Sequence, residues 1–497
     1  MPSESPIRHV VLLMLENHSF DQMLGCLQAF NPEVDGVDPA HPRVNKDKDG
    51  NSFPQKETDE LQTKRDPRHA VANVATQLQD GNSGFVLDFS QAYPDSTSDE
   101  RQEVMGYYGL GKLPALHALA KNFTICDRWF SSMPGPTWPN RFFALSGTSS
   151  GQVDMPETKQ QELNPLWYIH QWQRTIFDLL NANGRRWKTY YYDFPNSWLL
   201  LRQLAPGNIT QYHHIDKFFE EDAEDESTFP EFVLIEPKYF GQDQNDDHPP
   251  HNVVKAEKLI GDVYNAIRSN DDLWNSTLFV IAFDEHGGFY DHVVPPAAEP
   301  PDSKQNRYPL NRLGVRVPAL LVSPWVGQRV EHTVFDHTSL LKYLIEKWNL
   351  GPPSILGNRT ASANSLAVAL RETEFRNDTV PFIRVPYNKL IPPHPELEKE
   401  EDTSHQHSIH LFARYLEQRT GDSRFQEAQK HPGTWARAKK RLGQSLIKAG
   451  NSLTRDFQQA QGRKVERLTN LAHGLANRDV TVSFPDKPPD AAESAKE

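Results

Sequence analysis

Leu278-Phe279-Val280-Ile281-Ala282-Phe283 runs directly into Asp284-Glu285-His286-Gly287-Gly288-Phe289-Tyr290-Asp291-His292, and the reading of this stretch decides the fold. An apolar run with no polar alternation predicts a strand covered on both faces, as in the middle of a parallel sheet. Asp284 and Glu285 emerge together at its carboxyl end, and Gly287-Gly288 lets the backbone turn sharply behind them. Ligands of open α/β sheets gather at the carboxyl ends of strands. Two neighbouring carboxylates repel unless a proton or a cation lies between them. With His286, Asp291 and His292 following, a cation is the expectation.

The chain begins with the same device. Ile7 to Leu15 reads as the first parallel strand, and Glu16-Asn17-His18-Ser19-Phe20-Asp21 follows at once. Ser19 suits the N-cap of a short helix, which leaves Glu16 and Asn17 in the strand-to-helix turn, where their oxygens suit a divalent ion. The polar stretch from Val34 to Arg68 reads as a long loop insertion. Phe123 to Phe130 predicts a strand, and Met133-Pro134-Gly135-Pro136-Thr137-Trp138-Pro139-Asn140-Arg141 a stiff turn into a helix. Thr137 then stands at or just before a helix N-terminus, where main-chain N–H groups favour an alkoxide and a phosphoryl group.

Trp187 to Tyr192 and Phe232 to Glu236 predict further strands, with the acidic run Glu220 to Glu226 between them read as solvated surface. Asn245-Asp246-Asp247-His248-Pro249-Pro250-His251 then forms a loop whose His248 is placed to hand a proton to a leaving oxygen. Arg316 to Ser323 predicts another buried strand, and a helix begins near Asp336 or Thr338, with Asp336 and His337 as secondary site candidates. Strands alternating with helices predict an α/β domain built on a mostly parallel sheet with helices on both faces.

The 497 residues carry a formal net charge of −13, which argues against general nucleic-acid binding. Mean hydropathy is −0.67, and no apolar run reaches the roughly 20 residues needed to cross a bilayer. No signal peptide is recognisable, so the expectation is cytoplasmic residence or export by a non-standard route. Cys26 and Cys126 make no disulfide framework. The composition shifts after Ile391, so the expected domains are residues 1–390 (catalytic), 391–483 (mainly helical, after a Pro- and Glu-rich linker) and 484–497 (a disordered tail). A basic amphipathic helix around Trp435 to Leu446 is expected to pack on its own domain or touch an anionic bilayer.

Four motifs in this order resemble the phosphoesterase family of phospholipases C and related acid phosphatases, which has an alkaline-phosphatase-like fold. They are Glu16-Asn17-His18-Ser19-Phe20-Asp21, Thr137-Trp138-Pro139-Asn140-Arg141, Asn245-Asp246-Asp247-His248-Pro249 and Asp284-Glu285-His286-Gly287-Gly288-Phe289-Tyr290-Asp291-His292, spread over roughly the first 350 residues. The resemblance implies that Glu16, Asn17, Asp284 and Glu285 are metal ligands, Thr137 the nucleophile and His248 the proton donor. Asn140, Arg141, His286 and His292 are expected as substrate-binding neighbours. Zinc is the favoured ion because imidazoles lie near the oxygen ligands, with calcium, magnesium or manganese as alternatives. The implied activity is hydrolysis of a phospholipid to diacylglycerol and a phosphorylated head group, with transient membrane-surface contact. A phosphomonoesterase and a non-catalytic protein stabilised by a metal are the competing expectations. Oligomeric state is not legible.

Overall fold

The structure, a computed structural model, describes residues 6–156, 171–241, 243–303, 308–370, 374–386 and 403–420. The expected linker at 391–402, the basic helix around Trp435 and the tail from 484 lie outside these residues.

Its centre is an eight-stranded sheet. In chain order the strands are β1 (His9–Leu15), β2 (Thr124–Cys126), β3 (Trp187–Tyr191), β4 (Tyr212–His214), β5 (Phe232–Glu236), β6 (Thr277–Phe283), β7 (Ala319–Val322) and β8 (Val330–Glu331). Across the sheet they lie in the order β8-β2-β7-β6-β1-β5-β3-β4. Every residue of β1 and β6 is buried, as their unalternating apolar sequences require. The flanking helices include α1 (Phe20–Leu24), α2 (Thr137–Ser146), α3 (Val253–Ser269), α4 (His337–Trp348) and α5 (Ser404–Thr420).

β1 pairs in parallel with both β5 and β6, and Leu15 is opposite Phe283. This register sets the geometry of the site. It releases Glu16-Asn17 and Asp284-Glu285 at the same height on adjacent strands, although they are far apart in sequence.

The sheet is mostly parallel as expected, with one strand reversed, and three further expectations need correction. β7 runs antiparallel to both β6 and β2. A parallel pair needs a crossover, usually a helix, and the described residues between Phe283 and Ala319 form bends with no helix, so the chain doubles back. The strand expected over Phe123 to Phe130 divides: Trp129–Phe130 leaves the main sheet to pair in parallel with Phe335–Asp336. At the break, the Asp127 carboxylate accepts from Asp35 N and His332 Nδ1. The region Val34 to Arg68 is no plain loop. It contains an antiparallel pair, Val44–Lys46 with Ser52–Pro54, and a strand Lys56–Thr58 paired to Gly106–Tyr108. Finally, Asp222 in the acidic run is buried and accepts from Lys188 Nζ at 2.8 Å and Tyr190 Oη at 2.6 Å.

α5 could not be placed from sequence, and it joins the core around the sheet, with His405, Ile409, Phe412 and Leu416 buried. Among the described residues no helix is long and apolar enough to cross a membrane.

Candidate active site

Thr137, Glu16, Asn17, Asp284, Glu285 and His248 are each at most 1% exposed, and the elements that carry them converge at the carboxyl end of β1 and β6. Thr137 is the first residue of α2, after an N-cap Pro136 that offers no side-chain hydrogen bond. The main-chain donors of that first turn therefore keep their positive potential for a ligand. Thr137 Oγ1 donates to Asn17 Oδ1 at 3.4 Å, and Asn17 N donates to Asp284 Oδ1 at 3.2 Å. Nucleophile candidate and acidic pair are thus one residue apart.

Asn17 holds a left-handed backbone, φ 61°. Its carbonyl leaves no room for a side chain at Gly287, where a Cβ would lie 2.1 Å from Asn17 O. Glycine here is a packing requirement of the site itself.

Arg141 lies four residues beyond Thr137 and shares its face of α2. Its Nε meets Asp284 Oδ2 at 3.0 Å and its Nη2 meets Glu16 Oε1 at 3.0 Å. The guanidinium thus sits between the two carboxylates expected to share an ion. Glu285 is arranged differently. Oε2 accepts from Gly287 N at 2.8 Å, but Oε1 is buried without a hydrogen-bond partner, 3.8 Å from His69 Nε2.

Burial pushes Asp284 up to about 7, with Arg141 opposing and Glu16 and Glu285 reinforcing. Burial likewise raises Glu16 well above the ordinary range. Burial disfavours charge on His69, yet Glu285 and Asp66 outweigh it and lift His69 to about 9. These directions describe a site with excess buried negative charge, the condition that a divalent cation would relieve. Glu285 Oε1, which has no hydrogen-bond partner, and Asn17 Oδ1, which accepts from Thr137 Oγ1, are hard oxygen donors of the right kind.

His248 departs from its expected form. Its Nδ1 lies 2.6 Å from Pro249 O, an atom that only accepts, so Nδ1 carries the proton. Burial, followed by His69, His251 and His405, holds it far below the usual imidazole range. The resting ring is neutral, and its buried, unpartnered Nε2 presents a lone pair. Such a group takes a proton before it can give one.

The four expected substrate neighbours separate. Arg141 touches the acidic pair directly. His286 stands behind it, Nδ1 3.2 Å from Glu285 Oε2 and Nε2 2.8 Å from Gln77 Oε1. Asn140 spends its side chain on Met133, Gly135 and Pro136, holding the turn that launches α2. His292 turns to Asp21 and Asp35, each at 2.9 Å. Asp336 and His337 buttress the site: Asp336 caps α4, and His337 Nε2 donates to Asp284 O at 2.7 Å.

Asp21, Asp291 and His292 are grouped closely enough for a metal, but the fully buried Arg316 guanidinium already fills their centre. Nε lies 2.8 Å from Asp291 and Nη2 3.0 Å from Asp21. This is an ion-pair network, and removing its cation strands two buried carboxylates. Arg316→Met is expected to cost about 3–5 kcal/mol, read as a lower urea midpoint of unfolding; an unchanged midpoint would refute the assignment.

Residues that sequence reasoning did not select also converge here. His251 Nδ1 lies 2.6 Å from Asp246 Oδ1, and Glu16, Asp246 and His405 bring ligand atoms within 4.8 Å of one another. Asp246 and His251 stood inside a motif already noticed. His69, alone after a loop, carried no signal. His405 lies in Ser404-His405-Gln406-His407, where the local density of histidines was visible but not its destination.

The profile of the Phosphoesterase family matches residues 7–351. Non-specific phospholipase C3 of Arabidopsis thaliana is 34% identical over 412 residues, 76% of this chain and 76% of its own length. Phospholipase C B of Mycobacterium tuberculosis is 27% identical over 448 residues, covering 78% and 82%. Non-hemolytic phospholipase C of Pseudomonas aeruginosa is 27% identical over 428 residues, covering 76% and 58%. Among solved structures, a protein in the alkaline phosphatase superfamily from Vibrio parahaemolyticus matches 52% of this chain and 64% of that chain, at 13% identity and TM-score 0.31.

Proposed function

The chain belongs to the Phosphoesterase family, and from that premise we propose that it is a metal-dependent phospholipase C that splits glycerophospholipids such as phosphatidylcholine into diacylglycerol and a phosphorylated head group. The observation that carries the reading is the Thr137 hydroxyl at the start of α2, hydrogen-bonded to an Asn17 that is itself held by Asp284. A structural ion needs no hydroxyl at a helix N-terminus, which argues against a merely stabilising metal.

An ion held by Asn17, Asp284 and Glu285 would supply Lewis-acid stabilisation of negative charge on the phosphoryl oxygens and on the threonine. The donors are amide and carboxylate oxygens, with the imidazoles of His69 and His286 beside Glu285 rather than among them, so zinc, calcium, magnesium or manganese would each fit. Thr137 Oγ1 attacks phosphorus in line, forming a phosphothreonine and breaking the bond to the glycerol oxygen. The Thr137 hydroxyl gives up its proton to solvent, and His248, once it has taken a proton at Nε2, hands it to the departing diacylglycerol oxygen. Water then hydrolyses the phosphothreonine. Arg141 keeps Glu16 and Asp284 in place, and the α2 N-terminus receives the phosphoryl group.

Substrate comparison tests the reading. Phosphatidylcholine and p-nitrophenylphosphorylcholine should be hydrolysed with kcat/KM at least about tenfold above p-nitrophenyl phosphate, about 1.4 kcal/mol of transition-state preference. The reverse order would make the protein a phosphomonoesterase. No hydrolysis of any of them by metal-loaded protein would leave the stabilising-ion reading.

A further inference from the structure

His405 comes from α5, beyond all four motifs, yet it is 1% exposed and stands against Glu16. Its Nε2 lies 3.0 Å from Asn196 Oδ1, an acceptor, so Nε2 carries the ring proton and donates it. The other nitrogen, Nδ1, then directs a lone pair toward Glu16 Oε2, 2.9 Å away. That contact has no hydrogen-bond geometry: Nδ1 and Glu16 Oε2 are buried without a hydrogen-bond partner, while Glu16 Oε1 faces the Arg141 guanidinium. Asp246, on the loop after β5, brings a carboxylate oxygen within 4.8 Å of both. Two carboxylates and an imidazole lone pair thus face one another in a place closed to water. Electron pairs so arranged repel unless a cation draws them together.

The spacing suits one ion. With metal–ligand bonds of about 2.0–2.2 Å, neighbouring donor atoms on a tetrahedral centre lie roughly 3.3–3.6 Å apart, between the 2.9 Å of Glu16 and His405 and the 4.8 Å within which all three groups fall. The position is separate from that of the first ion, because the Arg141 guanidinium holds the opposite oxygen of Glu16 and lies between it and Asp284.

We propose that Glu16, Asp246 and His405 hold a second divalent cation, so that α5 completes the metal centre of the catalytic domain. The inference rests on the site described under Proposed function and adds to it a ligand from outside the family's matched residues. One nitrogen and two oxygens favour Zn²⁺ or Mn²⁺ over Ca²⁺. The ion ties the C-terminal helix to the end of β1 and to the loop after β5. The rival arrangement turns the Asn196 amide over and gives the Nδ1 proton to Glu16, which makes His405 a simple hydrogen-bonding partner.

Metal stoichiometry decides between them. The full chain is stripped with EDTA, loaded with Zn²⁺ or in parallel with Mn²⁺, desalted and measured by plasma mass spectrometry. Wild type should carry about two equivalents per chain, and His405→Gln and Asp246→Asn about one each. Glu285→Gln should also keep about one, held at the second site, and the pair His405→Gln/Glu285→Gln none. The two second-site substitutions lie on different elements, and circular-dichroism melts in EDTA read folding apart from metal. Wild type with a single equivalent that Glu285→Gln removes would overturn the second site and leave the proposed function standing. Two equivalents retained by His405→Gln would overturn it as well. Wild type that binds neither ion would overturn both readings.

Discussion

Thr137→Ala is expected to lower turnover of phosphatidylcholine by about 10³-fold or more while metal content stays near that of wild type. The Thr137 hydroxyl makes the hydrogen bond to Asn17, and α2 starts with main-chain donors rather than with the side chain, so the helix does not depend on it. Losing Oγ1 removes the atom that would form the phosphothreonine and leaves Asn17, Asp284 and Glu285 where they are. Thr137→Ser keeps an oxygen in place and should retain far more activity than alanine. Rapid-quench capture of a phosphorylated protein during wild-type turnover, absent in Thr137→Ala, provides the chemical signature. An alanine variant within about tenfold of wild type would assign the attack to water or to another residue.

Glu285→Gln is the second large effect: loss of the metal at the first site together with loss of hydrolysis. Its Oε1 is fully buried and has no hydrogen-bond partner, a costly condition unless a ligand normally meets it. Glutamine keeps the shape and the contact with Gly287 N but removes the charge that a hard cation requires. Substituting partners one shell away from a metal typically costs about 10–100-fold in affinity, so removing a ligand's charge should cost at least the upper end. Titrating Zn²⁺ into EDTA-stripped protein measures this directly at the first site. An affinity equal to that of wild type would remove Glu285 from the coordination shell, whatever happens to activity.

The apolar runs of β1 and β6 were legible because burial on both faces leaves no alternation to misread, and both strands stand where the hydrophobic pattern put them. The start of α2 was legible too, since proline and glycine punctuate the chain so strongly before Thr137. Local pattern failed wherever the partner was distant. Nothing in Arg316 to Ser323 says which way β7 runs, because direction depends on whether a crossover precedes it. Nothing in Asp291-His292 says that Arg316 will occupy the space between their acids and turn a candidate metal group into an ion-pair network.

Residue order was enough for the α/β class, the strand-end position of the acids, and the family resemblance that the profile over residues 7–351 bears out. These follow from side-chain hydrophobicity and turn chemistry, which act over a few neighbouring residues. Tertiary structure alone decided that Leu15 lies opposite Phe283 and so brings positions 16 and 284 together. It alone placed Arg141 between Glu16 and Asp284, set the His248 proton on Nδ1, and carried His405 from the far end of the chain to Glu16. The reason is physical: charge compensation and hydrogen-bond direction depend on distances in space, and those exist only once the strands have paired.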